Sequence, residues 1–116
     1  MTKSARTWDD GRPIYRQLMD EIIARILNQT YREGELLPSV RQLASESLVN
    51  PLTAARAYRE LSDLTETRRG IGLVVKQGVR DVLLTRERQK FLQEEWPALR
   101  SRIVSLNLDV ETLLRS

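Results

Sequence analysis

The chain has 116 residues, with 19 Lys and Arg against 16 Asp and Glu, which gives a net charge of +3. This length allows one modest domain with an appendage, and the mild basic excess permits nucleic-acid binding without establishing it. Because cysteine and histidine are both absent, disulfides, zinc sites built from cysteine or histidine, and histidine-based catalysis are excluded.

Residues 1–11 are polar and end at Gly11, so they predict a flexible arm ahead of the first domain. They lack the apolar centre of a signal peptide. No apolar run in the chain approaches the roughly 20 residues needed to cross a bilayer. We therefore expect a cytoplasmic protein with no membrane partner.

A first amphipathic helix is predicted from Pro13 to about Gln29. Its apolar residues recur at every fourth position, namely at Ile14, Leu18, Ile22 and Ile26. Gly34 then suits a turn that needs a left-handed backbone. Pro38 favours an extended approach to the next helix.

Two helix-start signals follow within a short segment. Ser39 with Gln42 three residues later is a capping-box pattern. Asn50 before Pro51 is an N-cap residue with proline in the first helical position. These signals predict a second helix from Ser39 to about Glu46, a turn, and a third helix from Pro51 to about Ser62, which together form a helix-turn-helix. The expected inward residues are Val40, Leu43 and Ala44 in the second helix and Leu52, Ala55, Ala57 or Tyr58, and Leu61 in the third.

The segment from Thr65 to Lys76 has a different pattern. Threonine and β-branched residues flank the turn Arg69-Gly70-Ile71-Gly72, which is typical of a two-stranded hairpin. Three helices followed by a hairpin predict a mostly α (α+β) fold with an N-terminal winged helix-turn-helix over residues 12–78.

A charged helical region is expected after Gly78, over residues 79–116. Its apolar residues are spaced by four and three, which is the seam of helices that pack along one another. Pro97 predicts a kink or break near Glu95–Trp96, and Asp109 is placed to cap a last short helix. We favour a dimerisation role over folding back on the same domain, because the winged unit closes its own core. The expected dimer contacts are Phe91, Leu92, Trp96, Leu99, Ile103 and Leu106.

The third helix has the chemistry of a DNA-reading element. A major groove admits one α-helix, and we expect the helix to offer its backbone N–H groups and partial positive charge to a phosphate. Thr53, Arg56 and Arg59 can reach bases or the backbone, and arginines at the hairpin tip can follow a minor groove. Each arginine alone is as well explained as a solvated residue, so the prediction rests on their combination. The candidate DNA contacts are Ser39, Arg41, Asn50, Pro51, Leu52, Thr53, Arg56, Arg59, Arg68, Arg69, Gly70 and Gly72.

These residues resemble the GntR family of bacterial transcriptional regulators, and within it the YtrA subfamily. The resemblance is carried by Pro13–Leu18, Leu37–Ala44, Val49–Leu61 and Arg68–Gly72, with a similar tail at Leu84–Pro97. It implies a homodimer that binds operator DNA of two-fold symmetry, usually as a repressor and often of transporter operons. By motif it assigns DNA contacts to Arg41, Asn50, Thr53 and the tip Arg69-Gly70. The segment Leu61–Thr67 is about two residues short of the family pattern, which predicts either an abrupt end of the third helix or a shortened first strand.

Two other functions are weighed against this one. A winged helix that only holds another protein would present an apolar or acidic third helix, whereas Arg56 and Arg59 make it basic. An enzyme would have to rely on carboxylates such as Asp9, Asp10, Glu94 and Glu95, which lie in the arm and on a charged helix. No catalytic residue, metal site or cofactor is therefore expected, and a small-molecule effector is left open.

Overall fold

The computed structural model describes residues 8–116. Backbone contacts divide the chain into two compact units, one ending at Asp81 and the other beginning at Val82. Residues 1–7 of the expected arm lie outside the described residues. At Asp9 the chain is fastened to the first helix, because the Gln17 amide donates to the Asp9 carbonyl at 2.6 Å and accepts from the Asp9 N–H at 2.9 Å.

Three helices form the body of the first unit: α1 (Ile14–Leu27), α2 (Val40–Ser47) and α3 (Pro51–Glu60). Helix α3 packs against both α1 and α2. The predicted stripe of α1 is buried at Leu18, Ile22 and Ile26, whereas Ile14 in the first turn is 41% exposed. The predicted caps are also present, since Ser39 and Gln42 form the reciprocal capping box and the Asn50 side chain accepts from the Leu52 N–H.

Two of the expected inward residues point outward instead. Val40 is 37% exposed and Leu52 is 79% exposed, and Ala55 is only half-buried. The reason is helical phase, because Leu52 lies two residues before Ala54 and hence on the opposite side of α3. The residues of α2 and α3 that do enter the core, with the one that follows α3, are Leu43, Ala44, Ala54, Ala57, Tyr58 and Leu61.

The turn between α2 and α3 passes through Leu48, whose φ of 56° is left-handed. The Val49 N–H donates to the Ala44 carbonyl at 3.0 Å, so the end of α2 closes with the six-to-one bond of a Schellman motif. A leucine at this left-handed position is uncommon.

The predicted wing is an antiparallel hairpin of β1 (Thr65–Arg68) and β2 (Gly72–Val75). Its register runs from Thr65 opposite Val75 to Arg68 opposite Gly72. On its other edge β2 binds the extended segment before α2, where the Leu37 N–H donates to the Leu73 carbonyl at 2.8 Å. Helix α3 ends at Glu60, two residues before its predicted end. A turn over residues 61–64 leads into β1, which has four residues like β2.

A buried core lies between these elements. The Tyr58 hydroxyl donates to the Pro38 carbonyl at 2.6 Å, and burial raises the pKa of this phenol. The bond fastens α3 to the segment that enters α2. Besides the residues named for α1, α2 and α3, the buried apolar set of the first unit includes Leu37, Leu64, Val74, Val75 and Val79.

The last element to begin in the first unit is α4 (Val79–Lys90), which follows the left-handed Gly78. The Glu33 carboxylate accepts from the Arg80 N–H at 2.8 Å, and the Arg80 guanidinium donates to the Leu27 carbonyl at 3.0 Å. Backbone N–H groups of Arg80 and Gly78 stabilise the carboxylate, so the pKa of Glu33 is lowered.

The second unit continues with α5 (Trp96–Ser105) and α6 (Val110–Arg115), and Asp109 caps α6 as expected. Between α4 and α5 lies a π-helical turn, Phe91–Glu95, in which the Trp96 N–H donates to the Phe91 carbonyl. The predicted disturbance near Pro97 takes this form because proline lacks an N–H and its ring clashes with the carbonyl four residues before it. None of the described helices has the length and apolarity to cross a membrane.

Candidate nucleic-acid interface

The backbone N–H groups in the first turn of α3 have partners within the chain. Pro51 lacks an N–H, the Leu52 N–H donates to the Asn50 side chain at 2.8 Å, and the Thr53 N–H donates to the Asn50 carbonyl at 2.9 Å. The expectation that backbone N–H groups here bind a phosphate stays a prediction. The partial charge of the helix end and the exposed side chains are available to DNA as well.

The outward face of α3 is formed by Leu52, Arg56 and Arg59, which are spaced by four and three residues and are all exposed. Thr53 is half-buried beside them. Among residues 8–116 no carboxylate forms an ion pair with Arg56 or Arg59. Both guanidinium groups thus keep their charge and their hydrogen-bond donors available for an anionic partner.

The start of α2 contributes a second basic position. Arg41 is exposed in the first turn of the helix. The Ser39 hydroxyl oxygen accepts from the Gln42 N–H at 3.1 Å, and the Gln42 side chain accepts from the Ser39 N–H at 3.2 Å. Ser39 therefore has a structural role as a cap, and a DNA contact by this residue stays a prediction.

The wing tip carries Arg68, Arg69 and Gly70, which are all exposed. The Ile71 N–H donates to the Arg68 carbonyl at 3.0 Å and closes the turn. Gly70 has a φ of +78° with open space around the missing Cβ, whereas a Cβ on Gly72 would lie 3.1 Å from the Leu36 side chain. Gly70 is thus needed for its backbone conformation, and Gly72 also for a close packing contact.

Two residues at this surface escaped the sequence reasoning. The Tyr15 ring lies under the Arg56 guanidinium, whose Cζ is 3.9 Å from the ring centroid, and Ile71 at the wing tip is 63% exposed. A shallow hollow of about 400 Å³ adjoins the stacked pair. No local sequence signal predicts the contact between Tyr15 and Arg56, because the apolar pattern of α1 does not show which residues of α3 its first turn will contact. The hollow is lined by Ile14, Tyr15, Leu52, Thr53 and Arg56.

The expected dimer contacts lie in the second unit, where no residue after Leu83 is buried. Phe91 and Trp96 form a tilted ring pair with centroids 6.4 Å apart. Trp96 and Ile103 are half-buried, whereas the remaining seam residues are largely exposed. Those exposed residues are Phe91 at 38%, Leu92 at 58%, Leu99 at 45% and Leu106 at 52%.

Residues 14–75, more than half of the chain, match the profile of the bacterial regulatory proteins of the gntR family. The chain belongs to the GntR family. It is similar to two proteins of Bacillus subtilis, the HTH-type transcriptional regulator YhcF, with 39% identity over 72 residues, and the HTH-type transcriptional repressor YtrA, with 35% identity over 74 residues. These matches span about 60% of this chain in each case and 60% and 57% of the two relatives. The resemblance to YtrA-type regulators is thereby confirmed.

A solved GntR family transcriptional regulator from Listeria monocytogenes extends the similarity beyond the winged unit. It superposes with a TM-score of 0.71 at 30% identity and covers 93% of this chain and 95% of its own. The winged-helix fold with a C-terminal helical region is therefore shared across almost the whole length of both GntR proteins. No group of three potential metal ligands occurs in the described part of the chain.

Proposed function

We propose that this GntR protein is a transcriptional repressor that binds operator DNA of two-fold symmetry as a homodimer. The observation that carries the proposal is the outward face of α3, where Leu52, Arg56 and Arg59 stand exposed and without carboxylate partners on a winged helix. The name of the similar YtrA supports repression as the direction of regulation. Transporter operons, the association implied by the YtrA resemblance, are the proposed targets.

In this proposal α3 enters a major groove, which is wide enough for one helix. Arg56 and Arg59 then bind guanine edges or phosphates, and the apolar side chain of Leu52 suits a thymine methyl group. Arg41 binds a base edge or a phosphate, and the tip residues Arg68 and Arg69 follow the adjacent minor groove. A cytoplasmic location belongs to the same proposal, because operator DNA is there in bacteria.

The dimer is proposed from the apolar surface of the second unit. A helical segment with no buried residue after Leu83 has no core of its own. Covering its apolar side chains with a partner stabilises the complex by about 25 cal/mol for each Å² of apolar surface removed from water. The seam spacing between Leu92 and Leu106 is that of paired helices. A second copy of the chain covers this surface and sets two α3 helices on one side of the duplex, roughly 34 Å apart or a multiple of that.

Selection of binding sites from random duplexes tests the proposal. We expect recovery of an inverted repeat, and an affinity for it that falls steeply with added salt because phosphate contacts release counterions. The double variant Arg56→Ala with Arg59→Ala removes both arginines of the α3 face and is the negative control. It should bind neither the repeat nor random DNA tightly. Failure of the wild-type protein to shift any duplex at low ionic strength would refute the proposal.

The competing function is a winged helix that only holds another protein. It predicts an apolar or acidic face on α3, and the two unpaired arginines of that face argue against it. Membership of the GntR family favours regulation through DNA as well.

A further inference from the structure

The contact between Arg56 and Tyr15 joins the outward face of α3 to the first turn of α1. The Arg56 Cζ lies 3.9 Å from the centroid of the Tyr15 ring, well inside the roughly 6 Å at which a guanidinium and an aromatic face attract each other. Tyr15 is itself half-buried. The ring thus offers a stacking platform to a side chain that otherwise has many rotamers.

Positive charge collects at this platform. The Arg16 Cζ lies 5.6 Å from the centroid of the same ring. In the part of the chain that the structure describes, neither Arg16 nor Arg56 forms an ion pair. The stacked guanidinium therefore faces solvent with its charge uncompensated beside the hollow that Leu52 and Thr53 border.

Stacking occupies the face of a guanidinium and leaves its N–H groups, which lie in the plane, available for hydrogen bonds. An arginine that is already held in one conformation loses less side-chain entropy when it binds. We propose that Tyr15 is a positioning residue that holds Arg56 ready for a base edge or phosphate of the operator. This inference rests on the proposed DNA-binding function.

Binding of four variants and the wild-type protein to the duplex selected by the wild-type protein tests the inference, with fluorescence anisotropy as the measurement. We expect Tyr15→Leu and Tyr15→Gln to weaken binding about three- to tenfold, because both remove the aromatic face. Tyr15→Phe keeps the face and should bind within about twofold of the wild type. Tyr31→Leu is the matched control, because it removes a ring that stacks with Arg25 at the other end of α1.

A double-variant comparison separates positioning from direct contact. If Tyr15 acts through Arg56, the combination of Tyr15→Leu with Arg56→Ala should bind no more weakly than Arg56→Ala alone. Thermal unfolding of each variant confirms that the compared proteins are folded.

Three results would overturn the inference: wild-type affinity for Tyr15→Leu and Tyr15→Gln, tighter binding by them, or a further loss in the double variant. Tighter binding would mean that the stack competes with DNA, and a further loss would mean that Tyr15 touches DNA itself. These outcomes can be told apart from failure of the proposed function. In that case the wild-type protein itself selects and binds no duplex.

Discussion

Leu48 is the residue at which local conformational preference and the fold disagree most plainly. Its φ of 56° is left-handed, a conformation that costs an L-residue with a Cβ roughly 1–2 kcal/mol and that asparagine adopts more readily. The side chain is 55% exposed, so its replacement sacrifices little packing. The left-handed backbone at the turn of the helix-turn-helix therefore destabilises the fold, and a substitution at Leu48 can relieve this destabilisation.

We predict that Leu48→Asn raises the free energy of unfolding by about 0.5–1 kcal/mol, because it relieves this backbone cost. Urea unfolding monitored by circular dichroism measures the change. Leu48→Ala is the matched control, since it removes the leucine side chain but keeps an unfavourable left-handed residue. Equal stabilisation by the two variants would mean that the leucine side chain, and not the backbone, is the source of the cost.

Arg41 is the residue through which α2 contributes to the proposed interface. It is exposed and unpaired among residues 8–116. We predict that Arg41→Ala costs on the order of 1–3 kcal/mol of binding free energy and relaxes the base preference at one position, if it contacts a base edge. Competition between the selected operator and its single-base variants measures both effects. Unchanged affinity and preference would remove Arg41 from the interface.

At the scale of elements, the start of α4 depends on a carboxylate that is distant in sequence. Glu33 accepts from the Arg80 N–H, so its carboxylate satisfies a backbone donor in the first turn of α4 from 47 residues away in the sequence. Its pKa is lowered in the folded chain by backbone N–H groups, which means that the folded state binds this proton less readily than the unfolded state does. The stabilisation is complete above the unfolded-state pKa and is lost as pH falls through the lowered, folded-state pKa.

We predict that Glu33→Gln lowers stability at neutral pH and flattens the loss of stability on acidification below about pH 4.3, the ordinary pKa of glutamate. Thermal unfolding from pH 7 to pH 3 provides the measurement. Glu35→Gln is the matched control, because Glu35 is exposed and close by and its carboxylate accepts from the Arg32 N–H at 3.2 Å instead of from an N–H of α4. Parallel pH profiles of Glu33→Gln and the wild type would contradict the role of Glu33.

Elements that depend on local signals were predictable from the sequence. The caps at Ser39, Asn50 and Asp109 and the turn at Gly70 all follow from residues within one helical turn of each other. Contacts between distant segments were not predictable in this way. The Tyr15–Arg56 stack, the Glu33 cap and the pairing of Leu37 with β2 depend on how the elements pack, and periodicity carries no information about that.

For the candidate site, too, features set by local sequence were predictable and features set by packing were not. The exposed face of α3 was predicted through Arg56 and Arg59, because their spacing alone places them on one side of a helix. Leu52 was assigned both to the core and to the DNA, and only its 79% exposure decides against the core. The bonds that Asn50 forms with the N–H groups of Leu52 and Thr53 follow from its role as the cap.

At the scale of the whole molecule, the proposed dimer accounts for the exposed apolar seam of the second unit. We predict that Trp96→Ala lowers dimer affinity enough to yield monomers at low micromolar concentration, because it removes the largest aromatic anchor of the seam. Sedimentation velocity measures the assembly state, and thermal unfolding of the winged unit should change little. Val104→Ala, at an apolar residue that is 65% exposed and off the seam, should leave the dimer intact. A Trp96→Ala protein that stays dimeric would contradict the assignment.

The π-helical turn at Phe91–Glu95 has a consequence for the shape of that surface. In a regular α-helix, residues five apart diverge by about 140° around the axis, so Phe91 and Trp96 would face different directions. The wider turn carries Trp96 back towards the side of Phe91, and the two rings meet at 6.4 Å. The wider turn next to Pro97 thus pairs two aromatic rings that are five positions apart. In a chain shortened by one residue between them, the rings would be four positions apart, about 40° around a regular helix, and would share one side without the wider turn.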